Sequence, residues 1–365
     1  MNILIIRVSA IGDVVHTLPA IFLIKHLIPE SKIDWVVQKK ASQLLTNQKF
    51  LNQVFVLPDN YLSIKNLTKT IQIIKNIKQN NYDLILDFQG LFKTAVLLYF
   101  LNGKKYGFDK NNTRDKFSCY FTDKKITPNY KNIIEKNLSL VTNSLFNLKK
   151  ITFCPVINHL KNNFNLSIQE QDQNIINSWL NKDNIKNFVL LSPNTTWESK
   201  HWPEDSWIKL IKILNLNNNF INNYKIILLG KNFGESAKNI ANYFNNNSNN
   251  NIVIAPDFNL LQLAYLIKKS KLLIAPDTGL LHLADFLQKN SIGIFGPTKA
   301  FKHGPYLHEF NIKNVEQIEC PHDYQKSHNN TKIKINIKNS SNILNCMYKL
   351  SPEYLAKKIF KIIGE

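Results

Sequence analysis

Apolar positions along this chain fall into two alternating patterns. In the first half, short continuous apolar runs are "NILIIRV" (Asn2 to Val8), "IDWVV" (Ile33 to Val37), "QVFVLP" and "YDLILDF" (Tyr82 to Phe88). Between them apolar residues recur at helical spacing, for example over Val14 to Leu27 and Leu67 to Gln79. The second half repeats this with "FVLLSP" (Phe188 to Pro193), "YKIILLG" (Tyr224 to Gly230), "NIVIA", "KLLIAPD" (Lys271 to Asp277) and "SIGIFGP" (Ser291 to Pro297). Strands apolar on both faces belong to parallel sheets covered by helices on both sides. The series breaks over residues 125–187, which predicts an α/β protein of two doubly wound domains joined near residues 155–185. Their ranges are set at 1–170 and 171–350. A terminal helix over 351–365 is signalled by Ser351 as cap and Pro352 at its first position. "FNNNSNNN" (Phe244 to Asn251) reads as a solvated connector.

In open parallel sheets, ligands bind beyond the carboxyl ends of the strands. The first such end is "RVSAIGDVVHTLPA" (Arg7 to Ala20), a tight turn with a helix opening at Asp13 or Val14. It holds one glycine, Gly12, and then a carboxylate where a phosphate cradle is usual. Asp13 in the first turn is kept ionised by the helix dipole. It reads equally as a helix cap or as a base for a bound hydroxyl, and Ser9 as an available cap weighs toward the base. His16 shares its helical face, as a ligand-orienting group or as a surface histidine.

The second end is "SPNTTWESKHWPEDSW" (Ser192 to Trp207), with a helix starting near Pro203. Thr195, Thr196 and Lys200 supply hydroxyl and ammonium donors that suit a diphosphate, whereas Trp202 reads as packing. In "APDTGLLHLADFL" (Ala275 to Leu287) a strand passes into a helix whose first N–H groups, at Thr278, Gly279 and Leu280, form an anion site. Asp277 reads as its N-cap, with His282 five residues on. "GPTKAFKHGPY" (Gly296 to Tyr306) could close over the same place. No G-x-G-x-x-G or G-x-x-x-x-G-K-[ST] occurs, which argues against dehydrogenases and P-loop NTPases.

Composition changes this picture little. With 365 residues, 44% hydrophobic and 20% charged, the chain has the make-up of a globular protein with large cores. Lys and Arg number 46 against 26 acids, a net charge of +20 that favours anionic partners. Crowding with Asn, Lys and Ile also fits the base bias of an AT-rich genome. Cys119, Cys154, Cys320 and Cys346 are scattered without metal-ligand spacing, so no metal is expected. Cys320 and Cys346 flank a polar stretch and could pair, although thiols are expected. No apolar run approaches a membrane span, and Arg7 and Asp13 interrupt any secretory signal, so a cytoplasmic location is expected. The sequence displays no aromatic-rich basic stripe or recognition motif, hence no nucleic-acid partner is expected.

Together and in this order, "RVSAIGDVVHTLPA", "SKHWPEDSW" and "DTGLLHLADFL…FGPT" resemble the heptosyltransferase family of lipopolysaccharide core assembly, glycosyltransferase family 9, over nearly the whole chain. "IDWVVQKKASQLL", "YDLILDFQGLFKTA" and "NNTRDKF" resemble heptosyltransferase I in particular. The resemblance implies a GT-B architecture, two Rossmann-like domains facing across a cleft, and an inverting transfer without metal or other cofactor. The implied donor is ADP-L-glycero-D-manno-heptose, bound by the C-terminal domain through Thr195, Thr196, Lys200, Asp277, Thr278, Gly279, Leu280 and His282. The implied acceptor is the inner Kdo of Kdo2-lipid A, held by the N-terminal domain through Ser9, Gly12, His16, Gln89, Lys93 and Arg114. Asp13 falls on the family's general base, and Lys200 would stabilise the departing diphosphate. A basic face around Lys93 and Arg114 would meet anionic lipid A at the cytoplasmic face of the bacterial inner membrane. The chain departs from the family pattern at Leu281, where Ser is common, and in the Cys320–Cys346 segment. Rival readings are a heptosyltransferase II or III type acting later in the core, a basic nucleic-acid binder and a non-catalytic nucleotide-sugar binder.

Overall fold

The apolar runs form strands and the periodic stretches form helices in the computed structural model, which describes residues 1–146, 153–230, 235–245, 251–319 and 346–364. The first half runs β1 (Asn2–Ile6), α1 (Ile11–Leu27), β2 (Lys32–Gln38), α2 (Lys39–Ser42), β3 (Gln53–Leu57) and α3 (Ile64–Gln79). It continues through β4 (Leu84–Asp87), α4 (Phe92–Phe100), β5 (Lys104–Phe108), β6 (Lys124–Ile126), α5 (Ile133–Phe146) and α6 (Phe153–Leu160). The second half begins with α7 (Glu170–Lys182), β7 (Phe188–Leu191), α8 (Glu204–Leu216), α9 (Asn218–Asn223), β8 (Lys225–Leu228) and α10 (Ser236–Asn245). Next come β9 (Ile252–Ile254), α11 (Leu260–Lys269), β10 (Leu272–Pro276), α12 (Gly279–Phe286) and β11 (Ser291–Phe295). The last elements are α13 (Ala300–His303), α14 (Glu309–Lys313), β12 (Val315–Gln317) and α15 (Pro352–Ile363).

Each half builds a six-stranded sheet in which every pairing is parallel. The strand orders are β3-β2-β1-β4-β5-β6 and β12-β11-β10-β7-β8-β9. Counted from its own first strand, the second sheet repeats the order of the first. The chain reverses its winding between β1 and β4 in one sheet and between β7 and β10 in the other. Ligand crevices of doubly wound sheets open at such reversal points. The chain divides into two compact units, Met1–Ser167 and Ile168–Glu365. The expected doubly wound α/β class is thus the observed one.

Burial on both faces explains the continuous apolar strands: Ile3 to Ile6 and Leu272 to Ala275 are fully buried. The terminal helix α15 sets Leu355, Ala356 and Ile359 into the second unit's core beside Trp207 and Leu210 of α8. Ser351 caps it by accepting the Tyr354 N–H at 3.1 Å, and Gly364 ends it with a φ of 86°. Cys119 is buried, its thiol donating to the Lys116 carbonyl. Cys320 and residues 246–250 of the asparagine-rich connector lie outside the described residues.

Candidate catalytic and donor sites

At the first reversal point α1 begins at Ile11, two residues ahead of the expected start. Ala10, in extended conformation, is the cap residue, and the Val14 N–H donates to its carbonyl at 3.0 Å. Ser9 is therefore not the cap. Its N–H, with that of Val8, donates to Gln89 Oε1 at 3.2 and 2.9 Å. Gln89 is buried behind the turn, with its carbonyl oxygen committed to holding it. Asp13 occupies the third helical position and reaches back to the Ala10 N–H at 3.3 Å.

Two guanidinium groups flank that carboxylate. Arg7, buried at the end of β1, places Nη2 2.7 Å from Asp13 Oδ1 and also donates to the Phe88 carbonyl. Arg114, exposed, stands 3.4 Å from Oδ2. Gly90 brings Arg114 there: at a φ of 60° it lies so close that a Cβ would be 3.2 Å from Thr113 Cγ2, and its carbonyl accepts the Asp115 N–H. Burial alone would raise the Asp13 pKa, but Arg7 and Arg114 outweigh it and hold the carboxyl at about 2. Asp13 is thus a fixed anion, part cap and part ion-pair partner, with 18% of its side chain open. His16 is buried rather than on the surface, because α5 packs over α1 and Asn137 donates to the His16 carbonyl at 2.9 Å. Gly12 lies half-buried beside Asp13, while Lys93 is exposed in the first turn of α4.

A second carboxylate lies beneath the turn. Asp87 ends β4, fully buried, with Oδ1 accepting the N–H groups of Gln89 at 2.9 Å and Gly90 at 3.2 Å. Burial pushes its pKa up to about 6 despite those bonds and Arg7. The folded chain therefore holds this proton more tightly than the unfolded chain. The resulting stabilisation is full below about pH 4 and is lost as pH rises through about 6. Asp87→Asn keeps the acceptor oxygen and removes the titration. Between pH 4 and pH 7 the variant should gain on the wild type by roughly 3 kcal/mol in urea unfolding. Parallel stability curves would show that Asp87 does not titrate there.

At the second reversal point the loop after β7 and the start of α12 meet. Lys200 Nζ lies 2.6 Å from Asp277 Oδ2, and His282 Nε2 donates to Asp277 Oδ1 at 2.9 Å. Both oxygens of this buried carboxylate are thus occupied, and although burial opposes it, His282 and Lys200 hold the pKa well below the carboxylate range. Asp277 is not the helix cap. Thr278 holds that position, and its Oγ1 is buried with no hydrogen-bond partner among the described residues. The open N–H groups of Gly279 and Leu280 follow it, at the positive end of the helix dipole. Leu281 points away into the core, against Gly293 of β11.

One threonine of the β7 loop, Thr195, is less available than its spacing suggests. Thr195 Oγ1 donates to the Trp197 carbonyl at 2.6 Å, and the Thr195 N–H donates to His201 Nε2 at 3.2 Å. Thr196 is exposed. Trp202 is packing, as expected, with its ring centroid 4.8 Å from that of Trp207. The "GPTKAFKHGPY" segment is anchored at its far end, where buried Asp285 accepts the N–H groups of Tyr306, Leu307 and His308. Sequence reasoning gave no site role to Arg7, Asp87 or His201. The one available signal was Arg7, a lone charge closing an apolar strand.

The sequence model of glycosyltransferase family 9 (heptosyltransferase) matches residues 70–334. Lipopolysaccharide heptosyltransferase 1 of Campylobacter coli is 28% identical over 312 residues, 83% of this chain and 86% of that protein. The protein of that name in Escherichia coli K12 is 27% identical over 223 residues, 59% of this chain and 65% of its own. Among solved structures, E. coli heptosyltransferase WaaC with ADP superposes with a TM-score of 0.72 at 24% identity, over 99% of this chain and 100% of its own. E. coli ADP-heptose lps heptosyltransferase II gives 0.73 at 16% identity, over 99% and 98%. Their shared fold is the GT-B type with two parallel-sheet α/β domains, and it fits both enzymes equally. With the family match spanning most of the chain, the chain belongs to glycosyltransferase family 9, the heptosyltransferase family, and is a glycosyltransferase of the group that the lipopolysaccharide heptosyltransferases above represent.

Proposed function

We propose that this protein moves L-glycero-D-manno-heptose from ADP-heptose to the inner Kdo of Kdo2-lipid A, with inversion, as a peripheral protein of the cytoplasmic face of the inner membrane. The observation that carries the reading is a carboxylate held ionised at the first reversal point. The second reversal point offers Lys200 and open helical N–H groups. These are the two complements a metal-free sugar transfer needs. Preference for the first heptose rests on the Campylobacter coli relative, whose match covers most of this chain. A heptosyltransferase II or III type remains the second reading, since the fold fits both.

The acceptor hydroxyl attacks the anomeric carbon, its new C–O bond forming as the bond to the diphosphate breaks. ADP leaves with the electron pair, and its growing charge meets Lys200, Thr278 Oγ1 and the first N–H groups of α12. Asp13 takes the hydroxyl proton. A carboxylate held near pKa 2 is a weak base toward a resting hydroxyl. The hydroxyl becomes strongly acidic as its oxygen bonds to the anomeric carbon, so the proton moves late.

Mass spectrometry of Kdo2-lipid A incubated with protein and ADP-heptose should show a gain of one heptose. Extension only of an acceptor that already bears a heptose would move the enzyme to the later step. No turnover despite donor binding would make it a nucleotide-sugar binder. No group of three His, Cys, Asp or Glu among the described residues could hold a metal ion. With fixed cations and N–H groups in the metal's place, EDTA should leave the rate largely intact. Loss restored by Mg²⁺ would contradict this mechanism.

A further inference from the structure

Helices on the surface of a globular domain normally turn polar side chains outward. One layer of the first unit does not. On α4, Phe92, Val96 and Tyr99 follow at helical spacing, with Phe92 53% and Tyr99 69% exposed. Beside it, in a helical turn over Lys116–Phe121, Phe117 is 71% and Tyr120 66% exposed. Two contacts hold these pieces side by side. The Phe92 N–H donates to Asp115 Oδ2 at 2.8 Å, and the rings of Tyr99 and Phe121 lie 6.3 Å apart. Helix α3 packs in the same layer, sharing one core cluster with α4. It turns Ile64, Leu67 and Ile71 outward, Ile64 being 93% exposed.

Lysines frame these side chains. Lys65, Lys69, Lys93, Lys116, Lys124 and Lys125 are exposed, and among the described residues none stands in an ion pair. The neighbouring acids are spent on backbone: Asp115 on Phe92, and Asp123 on the Lys105 N–H at 2.8 Å. Lys125 Nζ sits 5.2 Å from the centroid of the Tyr120 ring. The pieces come from three stretches of chain, one of which, residues 116–125, is itself a short run of rings and lysines that sequence reasoning passed over.

We propose that this layer is the surface by which the protein docks on an anionic lipid bilayer. Amphipathic rings settle at headgroup depth, and unpaired lysines meet lipid phosphates. Exposed rings with lysines would also suit a single-stranded nucleic acid. The aliphatic stripe of α3 decides against it, because Ile and Leu partition into lipid but offer bases no stacking face. Arg114, two residues before Lys116, lies 3.4 Å from Asp13, so the layer runs into the acceptor residues. The inference rests on the proposed lipid-borne acceptor for its purpose, though not for its test.

The full-length protein is sedimented with phosphatidylcholine vesicles and with vesicles that also contain phosphatidylglycerol. Wild type should bind the anionic vesicles well above the neutral ones, and raised salt should weaken it. Phe117→Ser with Tyr120→Ser should lower the partition at least tenfold. Lys116→Ala and Lys124→Ala should each lower it about fivefold. All these sites are exposed, and circular dichroism checks the fold. Turnover on a deacylated, water-soluble acceptor should stay within about twofold of wild type, while turnover on vesicle-embedded acceptor falls with binding. Equal binding to both vesicle types, or variants that bind like wild type, would overturn the surface. So would RNA binding lost through the same substitutions, or equal losses on the soluble acceptor. No turnover on the soluble acceptor by wild type would instead remove the proposed reaction and leave vesicle binding to stand or fall separately.

Discussion

Replacing Asp13 with Asn should lower sugar transfer by roughly 10²–10⁴-fold, the usual worth of a general base, while ADP-heptose affinity should hold. Affinity should hold because the candidate donor groups, Lys200 and the start of α12, belong to the other unit. The variant should also lose stability. Asn can still accept the Ala10 N–H, but it leaves the buried Arg7 guanidinium without its anion. A pKa held at about 2 stands nearly two units below its ordinary value and corresponds to about 2.5 kcal/mol. That stabilisation is present above about pH 4 and is lost as pH falls toward 2. The melting temperature should therefore drop by several degrees, and the rate must be read well below it. Arg7→Met separates base from cap. Without the guanidinium, burial raises the Asp13 pKa, and an acid limb should rise into the accessible range of the kcat/KM profile. An Asp13 that only caps and pairs would leave that profile flat and give Asp13→Asn a rate within a few-fold of wild type.

The buried strands were legible because burial on both faces leaves an unbroken apolar run. Three strands escaped. β5 reads "KKYGF", and β6 and β12 are three residues each, too short and too polar at a sheet edge to stand out. The ends of β7 and β10 were legible as donor loops because hydroxyl, lysine and glycine cluster there in sequence. What stayed hidden acts through space. Arg7 reaches Phe88 and Asp13, and Gln89 holds the turn at Val8 and Ser9 from about eighty residues away. Helical spacing put His16 on the face of Asp13 but said nothing of α5, which covers it. Asp277 shows the same limit. Position suggested a cap, whereas the fold spends the carboxylate on Lys200 and His282.

Lys200→Ala should lower turnover on the order of a hundredfold or more, with kcat falling further than donor affinity. Charge on the diphosphate grows as ADP departs, so a cation there counts most in the transition state. The ion pair sharpens this expectation. Lys200 already neutralises Asp277, whose other oxygen is held by His282. Removing the ammonium therefore deletes a donor and also exposes a buried carboxylate to the incoming diphosphate. The two effects can be separated. Asp277→Asn alone frees Lys200 and leaves it beside the open N–H groups of α12. Combined with Lys200→Ala, it removes the repelling charge without restoring the cation. The double variant should recover part of the loss of Lys200→Ala, so its rate should exceed the product of the two single effects. Wild type and the three variants are compared by single-turnover rate and by calorimetric donor binding at one ionic strength. An unchanged rate in Lys200→Ala would take the lysine out of the site. Strict additivity across the cycle would leave Lys200 a donor contact whose pairing with Asp277 has no bearing on transfer.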